Sequence, residues 1–231
     1  MIHYYTVKVE SGDIVKIRTR GRDEDVLFEI FRQRIYQKFL EIRHGDIIVD
    51  VGANIGAFSL AAAEATGAGG FVVAIEPGSE NFCLLESNTE RNHRSNIKLI
   101  KKGAWSRSGE EALNLYQMGG DNSFFERKGK KLGTETVKVD MLDSILEELK
   151  VERVNSIKID TEGSELEVLK GSTRILARDK PQIIMETHPF GAGKDAISDF
   201  LKEFSYGTNS WDYWPRGGLG LLYAKSKLNY P

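Results

Sequence analysis

The run Ile47-Ile48-Val49-Asp50-Val51-Gly52-Ala53-Asn54-Ile55-Gly56 decides the fold. Its first half is apolar and β-branched apart from Asp50, with no polar alternation. A strand of that kind is covered on both faces, as in a parallel sheet. Gly52 and Gly56 then permit a sharp turn and a close approach of backbone to a ligand. The helix that follows points its free N–H groups into the same crevice. Doubly wound α/β proteins hold nucleotide-like ligands there, at the carboxyl ends of their strands.

The turn residues narrow the ligand. A dinucleotide loop reads G-x-G-x-x-G, with its middle glycine against a pyrophosphate. Here that position is Asn54, and Asp50 stands at the strand end. A carboxylate there repels pyrophosphate and suits a cationic amino group or sulfonium. The next apolar run, Phe71 to Ile75, ends in Glu76-Pro77. An acid roughly 20 residues past the glycines is where ribose hydroxyls are gripped. Asp50, Gly52, Gly56 and Glu76 together resemble the S-adenosylmethionine pocket of a class I methyltransferase.

A chain of 231 residues is long enough for one sizeable core. Its net charge of −2 gives no broad pull toward nucleic acid, and no nucleic-acid partner is expected. The local basic run Arg127-Lys128-Gly129-Lys130-Lys131 reads as a solvated loop. Cys83 is the only cysteine, so internal disulfides and cysteine-rich metal sites are excluded; its helical spacing marks it as a small core residue. No leader pattern opens the chain, and no apolar run approaches the ~20 residues that span a bilayer. A cytoplasmic location away from membranes is the expectation.

Working outward, Tyr4 to Glu10 and Ile14 to Thr19 alternate like a hairpin around Ser11-Gly12-Asp13. Asp25 is placed to cap a helix through Leu27, Ile30, Phe31, Ile35 and Phe39. Residues 1–45 are therefore expected to form an extension packed on a domain over 46–231, serving as a structural cover. In that domain strands at 47–51, 71–75, 97–101, 155–159 and 181–185 alternate with helices. The pattern argues for a parallel sheet with right-handed crossovers. Strand-like runs at Ala112 to Tyr116 and Thr136 to Val139 interrupt it, around a polar loop. Two last runs, Asn209 to Trp214 and Leu219 to Ala224, fit the reversed strand of the methyltransferase fold. The expected architecture is α/β: a doubly wound, Rossmann-like, seven-stranded and mostly parallel sheet.

The second informative block is Lys158-Ile159-Asp160-Thr161-Glu162-Gly163-Ser164-Glu165-Leu166-Glu167. Asp160 and Glu162 follow a core strand, so they belong at the ligand crevice. Ser164 with Glu167 reads as a helix capping box. With VDVGANIG (49–56), EP (76–77), VDMLDSI (139–145) and PQIIMETH (181–188), this block resembles the FkbM-type methyltransferases. The resemblance implies an S-adenosylmethionine-dependent enzyme, most often one that methylates hydroxyls of small molecules or sugars. It places Asp50, Gly52, Asn54 and Gly56 in the cofactor loop and Glu76 on the ribose. Ser87, Asn88 and Asn92 read as surface residues. Trp105 either stacks near the adenine or packs in the core. Asp121-Asn122-Ser123 either closes over the methionine end of the cofactor or the acceptor, or forms a plain turn.

Methyl transfer from a sulfonium is an in-line displacement, and alignment can contribute roughly 7–11 kcal/mol. A hydroxyl acceptor must also lose a proton. Asp160, Glu162, Glu186 and His188 all sit at the ends of core strands. His188 is the expected general base, with Asp160 orienting the acceptor and Glu162 beside them. The same groups make a weak divalent-metal set, Asp160, Glu186 and His188, but nothing in their spacing demands an ion. The competing readings are a nucleic-acid or protein methyltransferase on the same fold and a non-catalytic cofactor-binding protein. Against the first, the Asn/Asp-Pro-Pro-aromatic run of base-amine methyltransferases is replaced by Asp160-Thr161-Glu162-Gly163. The aromatic tail, Tyr206 and Trp211 to Trp214, offers a stacking surface for an acceptor or filling for the core.

Overall fold

The computed structural model describes residues 2–8, 14–20, 24–117, 122–214 and 219–226. Strands β1 (Ile2–Lys8) and β2 (Ile14–Arg20) pair antiparallel. A single turn, α1 (Glu24–Leu27), runs into a π-helical segment, Phe28–Gln33. Then β3 (Ile47–Val51), α2 (Ala57–Thr66), β4 (Phe71–Ile75), α3 (Ser79–Arg91) and β5 (Ile97–Ile100) alternate. An insertion follows, made of the short β6 (Gly103–Ala104) with β7 (Gly109–Tyr116) and β8 (Lys131–Asp140). Alternation resumes with α4 (Leu142–Glu148), β9 (Ser156–Ile159), α5 (Glu165–Lys170), α6 (Thr173–Arg178), β10 (Gln182–Thr187) and α7 (Gly193–Glu203). β11 (Tyr206–Trp214) and β12 (Leu219–Ser226) come last.

Seven strands form the central sheet in the order β11-β12-β10-β9-β3-β4-β5. The neighbours from β10 to β5 are parallel, and β12 is antiparallel to both β10 and β11. The expected reversed strand is thus β12. Strand order changes direction beside β3, and that switch point opens the crevice. Successive residues of β3 and β4 feed opposite cores. Val49, Val51, Val73 and Ile75 pack with α4 to α7, while Ile48, Val72 and Ala74 pack with α2 and α3. Both faces are covered, which is why these strands show no alternation. No helix among the described residues is long and apolar enough to cross a membrane.

The first 45 residues share the second core: Val15, Ile17, Leu27, Ile30, Ile35, Tyr36 and Leu40 pack with Ile48, Phe58 and Val72. The single helix expected from Asp25 does not form. Asp25 lies inside α1, the chain widens into the π turn, and Arg34 ends it in the left-handed region at φ 53°. Asn88 is buried rather than on the surface, whereas Asn92 stays partly exposed. The Asn88 amide accepts from Arg18 N at 2.6 Å and donates to Arg18 O and Ile55 O, both at 2.9 Å. Asn92 makes the same two-way contact with the Lys16 backbone. These two side chains satisfy the outer edge of β2 as another strand would. Cys83 is exposed rather than buried. The capping box is absent too: the Ser164 hydroxyl donates to Thr161 O at 3.0 Å, and Glu167 pairs with Lys170 and Ser106.

Candidate active site

A cleft of about 560 Å³, open to solvent, lies at the carboxyl ends of β3, β4 and β9. Gly52 and Asn54 line it from the first loop, Glu76 and Pro77 from the end of β4, and Asp160, Thr161 and Glu162 from the end of β9. Its apolar wall is Ala104, Leu113 and Phe124, from the insertion. Trp105 does not line it; it packs behind Phe124 with ring centroids 5.0 Å apart.

At one end the cleft is shaped by backbone. Gly52 N and Ala53 N both donate to Ile75 O at 3.0 Å, tying the loop to β4. Gly52 has φ 76°, and a Cβ there would stand 1.8 Å from Asp160 O, so only glycine lets the loop cross the end of β9. Gly56 works elsewhere: it precedes α2, and its Cβ would stand 2.6 Å from Leu85 Cδ1, so it serves helix packing. Glu76 accepts from Asn54 N and from Gly78 N, each at 2.9 Å. Burial pushes its carboxyl up to about 7, against those two backbone donors. Asn54 Oδ1 and Thr161 Oγ1 are buried on this wall without a partner among the described residues. Two orphaned polar atoms beside a carboxylate and an apolar wall fit a ligand with an amino-acid end, a diol and a flat base.

Asp50 does not border the cleft. It is fully buried behind it, accepting from Ser59 Oγ at 2.5 Å and facing Lys158 Nζ at 3.3 Å. Lys158 is the residue that sequence reasoning missed. β3 and β9 pair Asp50 with Lys158 in register, and the buried ammonium donates to Gly52 O at 2.9 Å and stands 3.6 Å from Asp160. A cation inside Ser156-Ile157-Lys158-Ile159, a run otherwise fit for the core, was the available signal. So Asp50 meets a cationic amino group, as its chemistry suggested, but the protein's own.

At the other end Asp160 and Glu162 line the cleft, with further polar and ionisable side chains behind them. The Tyr36 hydroxyl donates to Glu186 Oε1 at 2.6 Å and lies 3.3 Å from Asp160 Oδ2. Burial, then the neighbouring Asp160 charge, pushes the Glu186 carboxyl up to about 8. His188 is buried between two acids, with Nδ1 2.9 Å from Glu165 and Nε2 3.2 Å from Glu162. Burial opposes its charge, but the Glu165 hydrogen bond and the Glu162 charge prevail and carry it up to about 9. His188 is not among the residues that line the cleft, and its two ring nitrogens face Glu165 and Glu162.

Glu162 is held in turn by Arg127, whose guanidinium lies over the Phe190 ring at 5.2 Å. The first residue of the basic run is thus a site neighbour, while Lys128 and Lys130 are exposed. Ser123 Oγ donates to Glu162 O at 2.5 Å, and Asn122 lines the cleft, so the polar loop does fold onto the site; Asp121 lies outside the described residues. The weak metal set does converge, with ligand atoms of Asp160, Glu186 and His188 within 4.8 Å of one another. His188 is engaged by Glu162 and Glu165, and the Lys158 ammonium stands 3.6 Å from Asp160. Tyr206 is core, donating to Pro181 O at 3.0 Å, and Trp211 stacks on Phe39 at 4.5 Å. Residues 215–218 lie outside the described part.

The model of the methyltransferase FkbM domain matches residues 50–208. The hexuronic acid methyltransferase AglP of Haloferax volcanii is 30% identical over 196 residues, covering 85% of this chain and 74% of that one. The 31-O-demethyl-FK506 methyltransferase FkbM of Streptomyces tacrolimicus is 28% identical over 216 residues, covering 79% and 81%. The crystal structure of methyltransferase FkbM from Methylobacillus flagellatus superposes with TM-score 0.61 at 22% identity. It is matched over 85% of this chain, which spans 47% of that longer one. The likeness shows the class I methyltransferase fold.

Proposed function

The chain belongs to the FkbM methyltransferase family, and on that premise we propose that it methylates a hydroxyl oxygen of a small molecule or sugar with S-adenosylmethionine. The observation that carries the reading is the join of two unlike ends in one cleft. Glu76, Asn54 and Thr161 with the Ala104–Leu113–Phe124 wall form one end, and Asp160 backed by Lys158 and Glu186 forms the other. Glu76 accepts the ribose hydroxyls. Asn54 and Thr161 hold the amino-acid end, and the apolar wall covers the adenine. When bound, the cofactor supplies a methyl on a sulfonium, activated for in-line displacement.

Asp160 takes the acceptor's hydroxyl proton. It lines the cleft, its carboxylate faces the Lys158 ammonium, and its neighbour Glu186 is the acid that burial keeps protonated near neutral pH. A base so placed contributes typically 10²–10⁴-fold. Asp50 and Gly56 act from behind, one by anchoring Lys158 and the other by seating α2. His188 and Glu162 hold the wall of the acceptor end. A carboxylate acceptor would need no proton acceptor, so this acid cluster favours a hydroxyl.

The test is transfer of label from methyl-labelled S-adenosylmethionine to hexuronic acids, neutral sugars and a polyketide alcohol. An ether product, stable to mild alkali and lost in Asp160→Asn, is expected. An alkali-labile ester, or full activity in Asp160→Asn, overturns the reading.

A further inference from the structure

Asn122 lines the cleft from the insertion that interrupts the α/β alternation. We propose that it reads the base of the cofactor: its side-chain amide donates a hydrogen bond to ring nitrogen N3 of adenine, on the edge that carries the ribose. The proposal rests on the reading of Glu76 as ribose acceptor and of Ala104, Leu113 and Phe124 as the adenine wall.

The amide is oriented by the protein itself. Its Oδ1 takes the Tyr116 N–H at 3.0 Å, at the end of β7. A backbone N–H can only donate, so the oxygen is fixed on that side and Nδ2 is the atom left over. The backbone beside it is fixed as well. Ser123 exchanges two backbone bonds with Asn114, at 2.9 and 3.1 Å, and its hydroxyl donates to Glu162 O. Glu135, opposite Leu113 in the β7–β8 pairing, accepts from Ser79 N at 3.1 Å and docks the insertion on the start of α3.

Nδ2 then faces Gly78. A Cβ on that glycine would stand 3.5 Å from Nδ2, 3.5 Å from Leu113 Cδ2 and 3.0 Å from Glu76 Oε1. The donor therefore stands at the seam between the apolar wall and the Glu76 carboxylate. Among the described residues it meets no acceptor. The other donors of this seam are engaged. Pro77 has no N–H, Gly78 N and Asn54 N donate to Glu76, and the Asn81 side chain bonds Glu76 too. A base lying on the wall with its ribose at Glu76 turns its sugar edge to this seam. N3 on that edge carries a lone pair and no hydrogen, whereas N7 and the N6 amino group lie on another edge. The donor is already in place, so the contact costs little ordering of the loop.

Calorimetric titration of S-adenosylhomocysteine, its 3-deaza analogue and its 7-deaza analogue tests the contact, at a mildly alkaline pH that keeps the bases neutral. Replacing N3 by C–H removes the acceptor and keeps the shape. Asn122→Asp keeps an acceptor for Tyr116 N and loses the donor; Asn122→Ala removes both. The wild type should bind S-adenosylhomocysteine about fivefold more tightly than the 3-deaza analogue. That preference should vanish in both variants, whatever each does to affinity overall, because the ratio of two ligands on one protein cancels the added charge of Asn122→Asp. The ratio against the 7-deaza analogue should be the same in all three proteins. A preference for N3 that survives both variants overturns the proposal, as does a 7-deaza ratio that changes with Asn122 in its place. A wild type indifferent to N3 overturns it even if neither variant folds. Each of these results leaves the cofactor reading standing. A wild type that binds none of the three ligands refutes that reading, and the proposal with it.

Discussion

The two ends of the cleft are built by different means. The Glu76 end is mostly backbone: loop amides, glycine conformations and a carboxylate that accepts from Asn54 N and Gly78 N. The acid end is a set of polar and ionisable side chains drawn from distant segments, Tyr36, Asp50, Lys158, Asp160, Glu186 and His188. Backbone sites depend on local sequence, so a short motif specifies them. Side-chain clusters depend on which strands the topology brings together. Lys158 is the tie between the two, since one ammonium contacts Gly52 O, Asp50 and Asp160.

Breaking that tie should have the largest effect. Lys158→Met leaves Asp50 buried without a counter-charge, and removing one partner of a buried pair costs about 3–5 kcal/mol. Chemical denaturation should show that loss, and adding Asp50→Asn should restore most of it. A stable single variant would mean that the two ends are independent.

The next effect belongs to the acid end alone. The folded His188 value of about 9 lies above its ordinary 6.5, so binding its proton stabilises the fold. That stabilisation is fully present below pH 6.5 and is lost as pH rises through about 9. The loss is on the order of 3 kcal/mol. Urea midpoints measured across that window should fall in the wild type and stay flatter in His188→Gln. Equal slopes would remove the charged histidine from the account.

This division also explains what could be read in advance. The β3 turn, Glu76-Pro77 and the strand-ending Asp160 were legible because each is a local pattern of strand, glycine and acid. So was the closing antiparallel strand, from its apolar run. The surroundings of His188 were not, because they depend on Glu165 as much as on its own position. Glu165 lay in the quoted block, but nothing local says that it faces β10. Tyr36 looked like one more aromatic in an apolar segment, and only the packing of residues 24–40 against α2 turns it toward Glu186. Asn88 looked exposed because its partner is the backbone of β2, which leaves no side-chain signature.

The most direct test of the division of labour between the two ends is calorimetric titration of S-adenosylhomocysteine into wild type, Glu76→Gln and Asp160→Asn. Loss of the Glu76 charge should weaken binding at least tenfold, about 1.4 kcal/mol, while Asp160→Asn stays within about threefold. Equal weakening in both variants, or loss only in Asp160→Asn, would contradict the account.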